Sequence, residues 1–187
     1  KLGWAFGNVL SKKISTKEKL EVIIGKDTRV SGYMFESALE AGLVSSGVDV
    51  KLLGPMPTPA VATITSMLKA SAGIVISASH NAYSDNGVKF FGKDGEKISD
   101  HDELAIEAKI EEKLVTVSSN SLGKASRMDT AAEMYMNFCK STVKNNFNLH
   151  GVRLALDCAN GATYHLAPKI FDEMGAEVIS LGISPDG

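Results

Sequence analysis

The sequence contains little cysteine, no excess of basic residues and no long hydrophobic run. Its two cysteines, Cys139 and Cys158, lie in apolar surroundings without metal-ligand spacing and indicate buried free thiols in a reducing compartment. The 20 basic and 22 acidic residues give a formal net charge of −2, without the basic stripe of a nucleic-acid-binding protein. No apolar run approaches the roughly 20 residues of a membrane span. These absences predict a soluble, cytoplasmic protein with neither nucleic acid nor a membrane as partner.

What is present suffices for one domain and part of another. The chain has 187 residues, 44% of them hydrophobic, which is ample for a core. The polar run Asn145-Asn-Phe-Asn148 predicts a break, so we expect a first domain at 1–147 and the start of a second at 148–187. The chain opens at Lys1 and stops in a turn pattern, Pro185-Asp-Gly187, and we expect it to be part of a longer protein.

Short apolar runs alternate with amphipathic stretches, a pattern typical of an α/β fold. Strands are predicted near 22–24, 48–53, 73–76, 88–91, 152–156 and 177–181. Helices are predicted over 1–12, from 31 to a C′ glycine at Gly47, and over 59–68, 100–113, 129–143 and 166–174. Ser31, Thr58 and Asp100 are the predicted N-cap residues. Residues 115–125 are polar and predict a loop, and the last two strands with their helix predict one βαβ unit.

The stretch from residue 73 to residue 89 carries the most chemistry. A buried strand is followed by the polar residues Ser77, Ser79, His80 and Asn81, and a turn at 85–87 then leads to Lys89. A loop at the end of a buried strand is a common place for reactive groups, because a rigid sheet fixes its backbone. A hydroxyl, an imidazole, an amide and an ammonium so close in sequence suit the handling of phosphate.

Two candidate site residues, Ser79 and Arg29, also have ordinary structural explanations. On an extended backbone Ser79 and His80 would point to opposite faces, which places the imidazole badly for deprotonating the hydroxyl. A serine at a strand end can also be merely solvated or capping. Arg29 follows a strand and precedes a helix, where a guanidinium and free N–H groups make an oxyanion cradle. The alternative is a solvated surface arginine.

Several separated motifs resemble the α-D-phosphohexomutase superfamily across almost the whole chain. The main ones are Gly25-Lys-Asp-Thr-Arg-Val-Ser-Gly32 and Ser77-Ala-Ser-His-Asn81. Finer details are similar to the branch that acts on glucosamine phosphate, and they lie at Ser31-Gly-Tyr-Met-Phe-Glu36, Gly54-Pro-Met-Pro-Thr-Pro59 and Asp157-Cys-Ala-Asn-Gly161. The resemblance implies a mixed β-sheet sandwiched between helices, followed by the first βαβ unit of a second, similar domain.

The resemblance also implies a function, with the chain as the serine-bearing part of an isomerase. Ser79 matches the phosphoserine, His80 and Lys89 match its partners in proton transfer and phosphate contact, and Arg29 matches a phosphate-binding arginine. Asn81 is expected to contact phosphate with them. The substrate would be a small-molecule sugar phosphate, glucosamine 6-phosphate, interconverted with the 1-phosphate through a bisphosphate for amino-sugar supply.

The implied cofactor is Mg²⁺, which would bind Ser79 through its phosphate and aspartates outside this chain. Two alternatives remain open: a mutase of the same superfamily with another hexose specificity, and a non-catalytic sugar-phosphate-binding module. One departure from the superfamily pattern is Ala82, where proline usually follows Ser-His-Asn. Because proline fixes its own φ and restricts the preceding residue, alanine is expected to leave this loop looser.

Overall fold

The structure, a computed structural model, describes residues 1–14, 19–144 and 146–186. Its helices are α1 (Leu2–Lys13), α2 (Ser31–Ser45), α3 (Thr58–Leu68), α4 (Asp100–Glu111), α5 (Ala131–Ser141) and α6 (Ala167–Glu173). Its strands are β1 (Glu21–Lys26), β2 (Asp49–Pro55), β3 (Ala72–Ile76), β4 (Val88–Gly92), β5 (Ala125–Arg127), β6 (Arg153–Asp157) and β7 (Glu177–Leu181). No helix in these ranges is long and apolar enough to cross a membrane.

The first five strands form one mixed sheet in the order β4-β3-β1-β2-β5. β1 is parallel to β2 and β3, β5 is parallel to β2, and β4 runs antiparallel to β3. The central residues of β1 and β3 are fully buried, since their apolar runs have helices on both faces to cover them. The predicted fold class, a mixed sheet between helices, is confirmed.

Two hydrophobic clusters lie on the two faces of this sheet. Ile74 belongs to the cluster with α1, α2 and α4, whereas its neighbour Val75 belongs to the cluster with α3, α5 and α6. On the first face α1 and α2 approach closely, because a Cβ at Gly42 would lie 2.6 Å from the backbone nitrogen of Trp4. Leu166, from the unit after residue 150, is 1% exposed and packs into the second cluster.

The second unit contains β6, α6 and β7 in sequence, and its two strands are parallel. The predicted βαβ unit is therefore present. Its strands form a sheet of their own, separate from the five-stranded one. The boundary between residues 147 and 148 stays a prediction. Asn145, within the predicted break, lies outside the described residues.

The predicted caps of α2 and α3 are wrong by one residue. The N-cap of α2 is Val30, already in helical geometry at φ −55° and ψ −41°, so Ser31 lies inside the first turn. The Ser31 hydroxyl accepts a hydrogen bond from Asn86 at 2.8 Å instead of capping. The N-cap of α3 is Pro57, whose φ and ψ are extended, and Thr58 makes no capping bond.

The predicted cap of α4 is also displaced, because Ser99 rather than Asp100 is its N-cap. The Ser99 hydroxyl accepts a hydrogen bond from the Asp102 backbone N–H at 3.2 Å. Asp100 instead places its carboxylate in the first turn, where the helix dipole favours negative charge. The predicted end of α2 is confirmed, since Gly47 has φ +88° and donates to Val44 O at 3.1 Å.

The predicted loop at 115–125 contains more structure than its sequence indicated. Residues Ser119–Ser121 form a short 3-10 helix, and β5 begins at Ala125. All three β5 residues are exposed, so no apolar alternation marks the strand. Backbone bonds hold it on the edge of β2, because Val50 N–H donates to Lys124 O and Met128 N–H donates to Leu52 O.

An ion pair is buried between β1 and α2, directly before the candidate site. The Lys26 ammonium pairs with Glu36, and the side chains are 1% and 8% exposed. The same ammonium lies 4.0 Å from the ring centroid of Tyr33, which adds cation–π attraction. Glu36 Oε1 has no hydrogen-bond partner among the described residues, so the pair is not fully satisfied. Desolvation makes such a pair costly to break from one side.

Replacing Glu36 alone should therefore destabilise the chain strongly. Glu36→Leu leaves an uncompensated buried ammonium, and we expect a loss of about 3–5 kcal/mol in unfolding free energy, measured by urea denaturation. Lys26→Met combined with Glu36→Leu should recover much of that loss, since no buried charge remains. Glu103→Leu, which breaks the exposed Lys97–Glu103 pair, is the control and should shift the midpoint far less. Equal losses in Glu36→Leu and the control would contradict the argument.

Candidate functional site

The candidate site lies where the two central parallel strands end. The arginine loop, residues 27–30, follows β1, and the serine loop, residues 77–87, follows β3. Asp27 N–H donates to Ile76 O at 2.9 Å, so the loops leave the sheet side by side. The serine loop is closed at its base, because Ser77 N–H donates to Gly87 O at 2.9 Å. A sheet edge thus fixes both ends of an exposed loop.

Ser79 lies in a turn within this loop and points its hydroxyl to a lysine. Its φ is +56°, and its N–H donates to the Ser77 hydroxyl at 3.1 Å. Lys89 Nζ donates to Ser79 Oγ at 2.7 Å. Lys89 can reach it because β4 runs back along β3, with Lys89 opposite Val75. An exposed hydroxyl beside an ammonium is a place where negative charge on that oxygen is stabilised.

His80 and Asn81 follow Ser79 in the same turn. The extended backbone assumed for Ser79 and His80 is wrong here, since the left-handed φ of Ser79 bends the chain at this point. His80 is exposed and makes no side-chain hydrogen bond within the described residues. The Asn81 amide donates to Asp85 at 3.3 Å, so it lies within the loop. Proton transfer by His80 and phosphate contact by Asn81 stay predictions.

Arg29 is a structural member of the site rather than a solvated surface residue. Its side chain is 11% exposed, and Nη1 pairs with the Asp27 carboxylate. Nη2 donates to the carbonyl oxygens of Ser79 at 3.3 Å and Asn81 at 2.8 Å. The guanidinium therefore contacts the backbone around Ser79, and its direct contact with phosphate stays a prediction.

The loop after β6 completes the pocket, a contribution that the sequence did not reveal. Thr28 Oγ1 donates to Asn160 O at 2.7 Å, across 132 positions of sequence. The pocket has a volume of about 850 Å³. Its walls come from both units: 27–29, 57–59, Ser77, 79–81, Tyr83, Lys89, 158–163, Pro185 and Asp186. The motif at 157–161 was visible in the sequence, but its contact with Thr28 depends on the fold of the whole chain.

The described residues do not form a metal site by themselves. They contain no group of three or more histidine, cysteine, aspartate or glutamate side chains placed to bind a metal ion. Asp27, a carboxylate of the pocket wall, is already paired with Arg29. Magnesium prefers several oxygen ligands in octahedral geometry, and these residues alone do not offer them.

The fold and the site together define an α/β domain that presents an exposed serine, next to a lysine, in a pocket at the edge of its sheet. The family model "phosphoglucomutase/phosphomannomutase, alpha/beta/alpha domain I" matches residues 1–116. The chain belongs to this family.

Curated relatives agree with that assignment, and a solved structure agrees with the fold. Proteins named phosphoglucosamine mutase from Polynucleobacter asymbioticus and Aeromonas hydrophila are both 59% identical to the chain over 187 residues. The chain spans 42% and 41% of their lengths, or about two fifths of each. A crystal structure of a phosphoglucomutase/phosphomannomutase family protein from Burkholderia thailandensis covers 99% of the chain at a TM-score of 0.78. The chain covers 40% of that protein at 24% identity, which supports the fold alone.

The left-handed backbone of Ser79 gives a test of the site geometry. Ser79→Gly should be more stable than Ser79→Ala by about 0.5–1 kcal/mol, because glycine avoids the αL strain but has more entropy when unfolded. The comparison is made by urea denaturation. At Ser77, whose φ is not positive, the order should reverse, with Ser77→Ala the more stable variant. The same order at both positions would contradict the described turn.

Proposed function

We propose that this chain is the serine-bearing part of a phosphoglucosamine mutase, an isomerase that interconverts glucosamine 6-phosphate and glucosamine 1-phosphate. The observation that carries the proposal is the 2.7 Å contact of Lys89 Nζ with the exposed Ser79 hydroxyl in a pocket of about 850 Å³. The shared name of relatives at 57–59% identity supports glucosamine as the sugar.

The charges around Ser79 suit a phosphoserine. Phosphate on Ser79 would carry about −1.5 to −2 charges near neutral pH, so it requires nearby cations. Lys89 already contacts the oxygen that would become the ester oxygen, and the Arg29 guanidinium lies against the carbonyl of the same residue. Both groups are held by the fold before any phosphate arrives, which is the arrangement that electrostatic stabilisation of phosphoryl transfer needs. Because Asp27 pairs with Arg29, the uncompensated positive charge is that of Lys89.

The proposed cycle transfers the phosphoryl group twice. The O1 hydroxyl of glucosamine 6-phosphate attacks the phosphorus of phosphorylated Ser79, the bond to Ser79 Oγ breaks, and Oγ keeps the electron pair. The Lys89 ammonium stabilises that oxygen, and exposed His80 is the proposed acceptor of the O1 proton. The resulting bisphosphate reorients, Ser79 Oγ attacks the phosphorus of its 6-phosphoryl group, and the bond to O6 breaks. O6 takes the proton back from His80, and glucosamine 1-phosphate is released. Asn81 is proposed to contact phosphate at the same turn.

Magnesium is the proposed cofactor, bound in part through an oxygen of the Ser79 phosphate. The described residues offer no carboxylate set for it, so its remaining ligands are proposed to lie outside this chain. Bound there, it would neutralise charge on the non-bridging oxygens. Amino-sugar supply in the cytoplasm is the proposed cellular context.

Other mutases of the family are the second candidate. The family model that matches residues 1–116 covers phosphoglucomutase and phosphomannomutase together, so it does not separate the sugars. The curated names favour glucosamine over glucose or mannose. A comparison of kcat/KM for the three hexose 6-phosphates with the full-length enzyme decides between them.

Ser79 is expected to bear phosphate in the full-length enzyme. Phosphopeptide mapping of purified, active protein should locate the group on Ser79, since this hydroxyl is exposed and contacts Lys89. Ser77 is the internal control, because it is buried and its hydroxyl accepts from the Ser79 N–H. Ser79→Ala should lose both the phosphate and turnover while folding normally. Ser77→Ala should keep the phosphate on Ser79. Phosphate on Ser77, or none in active enzyme, would refute the assignment.

The 187-residue chain alone is expected to show no turnover of glucosamine 6-phosphate with magnesium. Substrate orientation can contribute roughly 7–11 kcal/mol to barrier lowering, and one wall of a cleft cannot supply it. A coupled assay compares the chain with the full-length enzyme at equal concentration. Turnover by the chain at more than a trace of the full-length rate would show that these residues hold the entire active site.

A further inference from the structure

The Asp27 carboxylate is directed entirely at Arg29. Its Oδ1 accepts the Arg29 backbone N–H at 3.1 Å, and its Oδ2 pairs with Nη1 of the guanidinium. Asp27 is 8% exposed, and its own N–H is fixed to Ile76 O at the end of β3. The carboxylate is therefore anchored to the sheet and holds one side of the guanidinium in a fixed orientation.

The other side of that guanidinium binds the turn that carries Ser79. Nη2 donates to the carbonyl oxygens of Ser79 and Asn81, which lie on either side of His80. Nη2 thus donates both of its hydrogen bonds to the serine loop, while Nη1 donates to the Asp27 carboxylate. The turn is strained, with Ser79 at φ +56°, and no proline stiffens residues 77–87. The Asp27–Arg29 pair, called the clamp below, holds this turn from outside and compensates for the conformational freedom of the loop.

We propose that Asp27 is a positioning residue for Ser79, acting through Arg29. The carboxylate fixes the guanidinium, and the guanidinium fixes the turn from residue 79 to residue 81. The second anchor of the loop, Asn86 on the Ser31 hydroxyl, holds its far end and leaves the turn itself to Arg29. Without the carboxylate, the guanidinium regains rotamer freedom and the two carbonyl bonds weaken. The consequence for catalysis rests on the proposed function, but the clamp itself does not.

The clamp is tested in the 187-residue chain by amide hydrogen exchange at Ser79 and Asn81. Both amides are hydrogen-bonded, Ser79 N–H to the Ser77 hydroxyl and Asn81 N–H to Ala78 O at 3.1 Å, so both report opening of the turn. Asp27→Asn removes the charge while keeping the shape. It should speed exchange at both amides about tenfold, the effect expected from losing a hydrogen bond to a charged group.

Asp102→Asn is the matched control. Asp102 is 9% exposed, pairs with Lys13 at 2.6 Å and lies on α4, outside the pocket. The hydrogen bond from Lys13 lowers the pKa of Asp102, so this carboxylate also depends on a cation. Its substitution should leave exchange at Ser79 and Asn81 unchanged. Exchange at Ile74 in β3 serves as the reference for global unfolding in every variant.

Arg29→Lys and the double variant Asp27→Asn/Arg29→Lys complete a cycle. If Asp27 acts through Arg29, the double variant should exchange no faster at Ser79 and Asn81 than Arg29→Lys alone. An unchanged exchange rate in Asp27→Asn, or effects of the two substitutions that simply multiply, would overturn the proposal. Should Asp27→Asn fail to fold, Arg29→Lys alone must still speed exchange at the turn and not at Ile74, and otherwise the clamp is disproved.

The full-length enzyme gives the kinetic counterpart. Asp27→Asn should lower kcat by up to about a hundredfold, because a misplaced nucleophile is costly, and should change KM little. Asp102→Asn should leave both unchanged. A wild-type enzyme without mutase activity would refute the proposed function while the exchange result still decides the clamp. Faster exchange with an unaltered kcat would show that the clamp does not position Ser79 for catalysis.

Discussion

The parallel pairing of β1 with β3 is the constraint on which the site depends. Lys26 is the register partner of Ile76, so the next residues of each strand leave the sheet at the same edge. The arginine loop and the serine loop are therefore neighbours before any of their side chains interact. The antiparallel β4 then returns Lys89 to the same edge, and the loop after β6 meets Thr28 there. The β1–β3 register brings two of these segments together, and the β3–β4 pairing and the Thr28–Asn160 bond add the other two.

The sequence predicted most of the fold because its central strands are strongly apolar. Val22 to Ile24 and Ile74 to Ile76 are fully buried, and such runs have few alternatives to a covered strand. The N-caps were displaced by a residue because Ser31, Thr58 and Asp100 lie beside the true boundary, where backbone geometry rather than residue type decides the cap. β5 was missed because its three exposed residues pair through backbone groups alone, which leave no side-chain pattern.

The site was only partly predictable, for a related reason. Local motifs drew attention to Ser79, Lys89 and Arg29, and the structure brings these residues together at one edge. The carbonyl partners of Arg29 were not predictable, because carbonyl oxygens 50 and 52 positions away carry no sequence signature. The bond between Thr28 and Asn160 spans an even longer separation, 132 positions, and depends on the packing of the second unit against the first. Sequence patterns therefore do not predict contacts that backbone atoms make with residues far away in the chain.

The charges of the pocket indicate what else a phosphorylated Ser79 would require. Asp27 neutralises Arg29 to a large extent. Lys89, which contacts Ser79 Oγ, forms no ion pair with a carboxylate among the described residues, so its charge is the one available to a phosphate there. A phosphate with close to two negative charges would exceed that single ammonium by about one charge. Water can screen the difference while the pocket is open, but a cleft closed against water cannot leave it unbalanced. Under the proposed function, the bound magnesium ion and protonated His80 are the groups that would supply the remaining positive charge. The pocket therefore fixes the position of Ser79 more completely than it balances the charge of a phosphate on that residue.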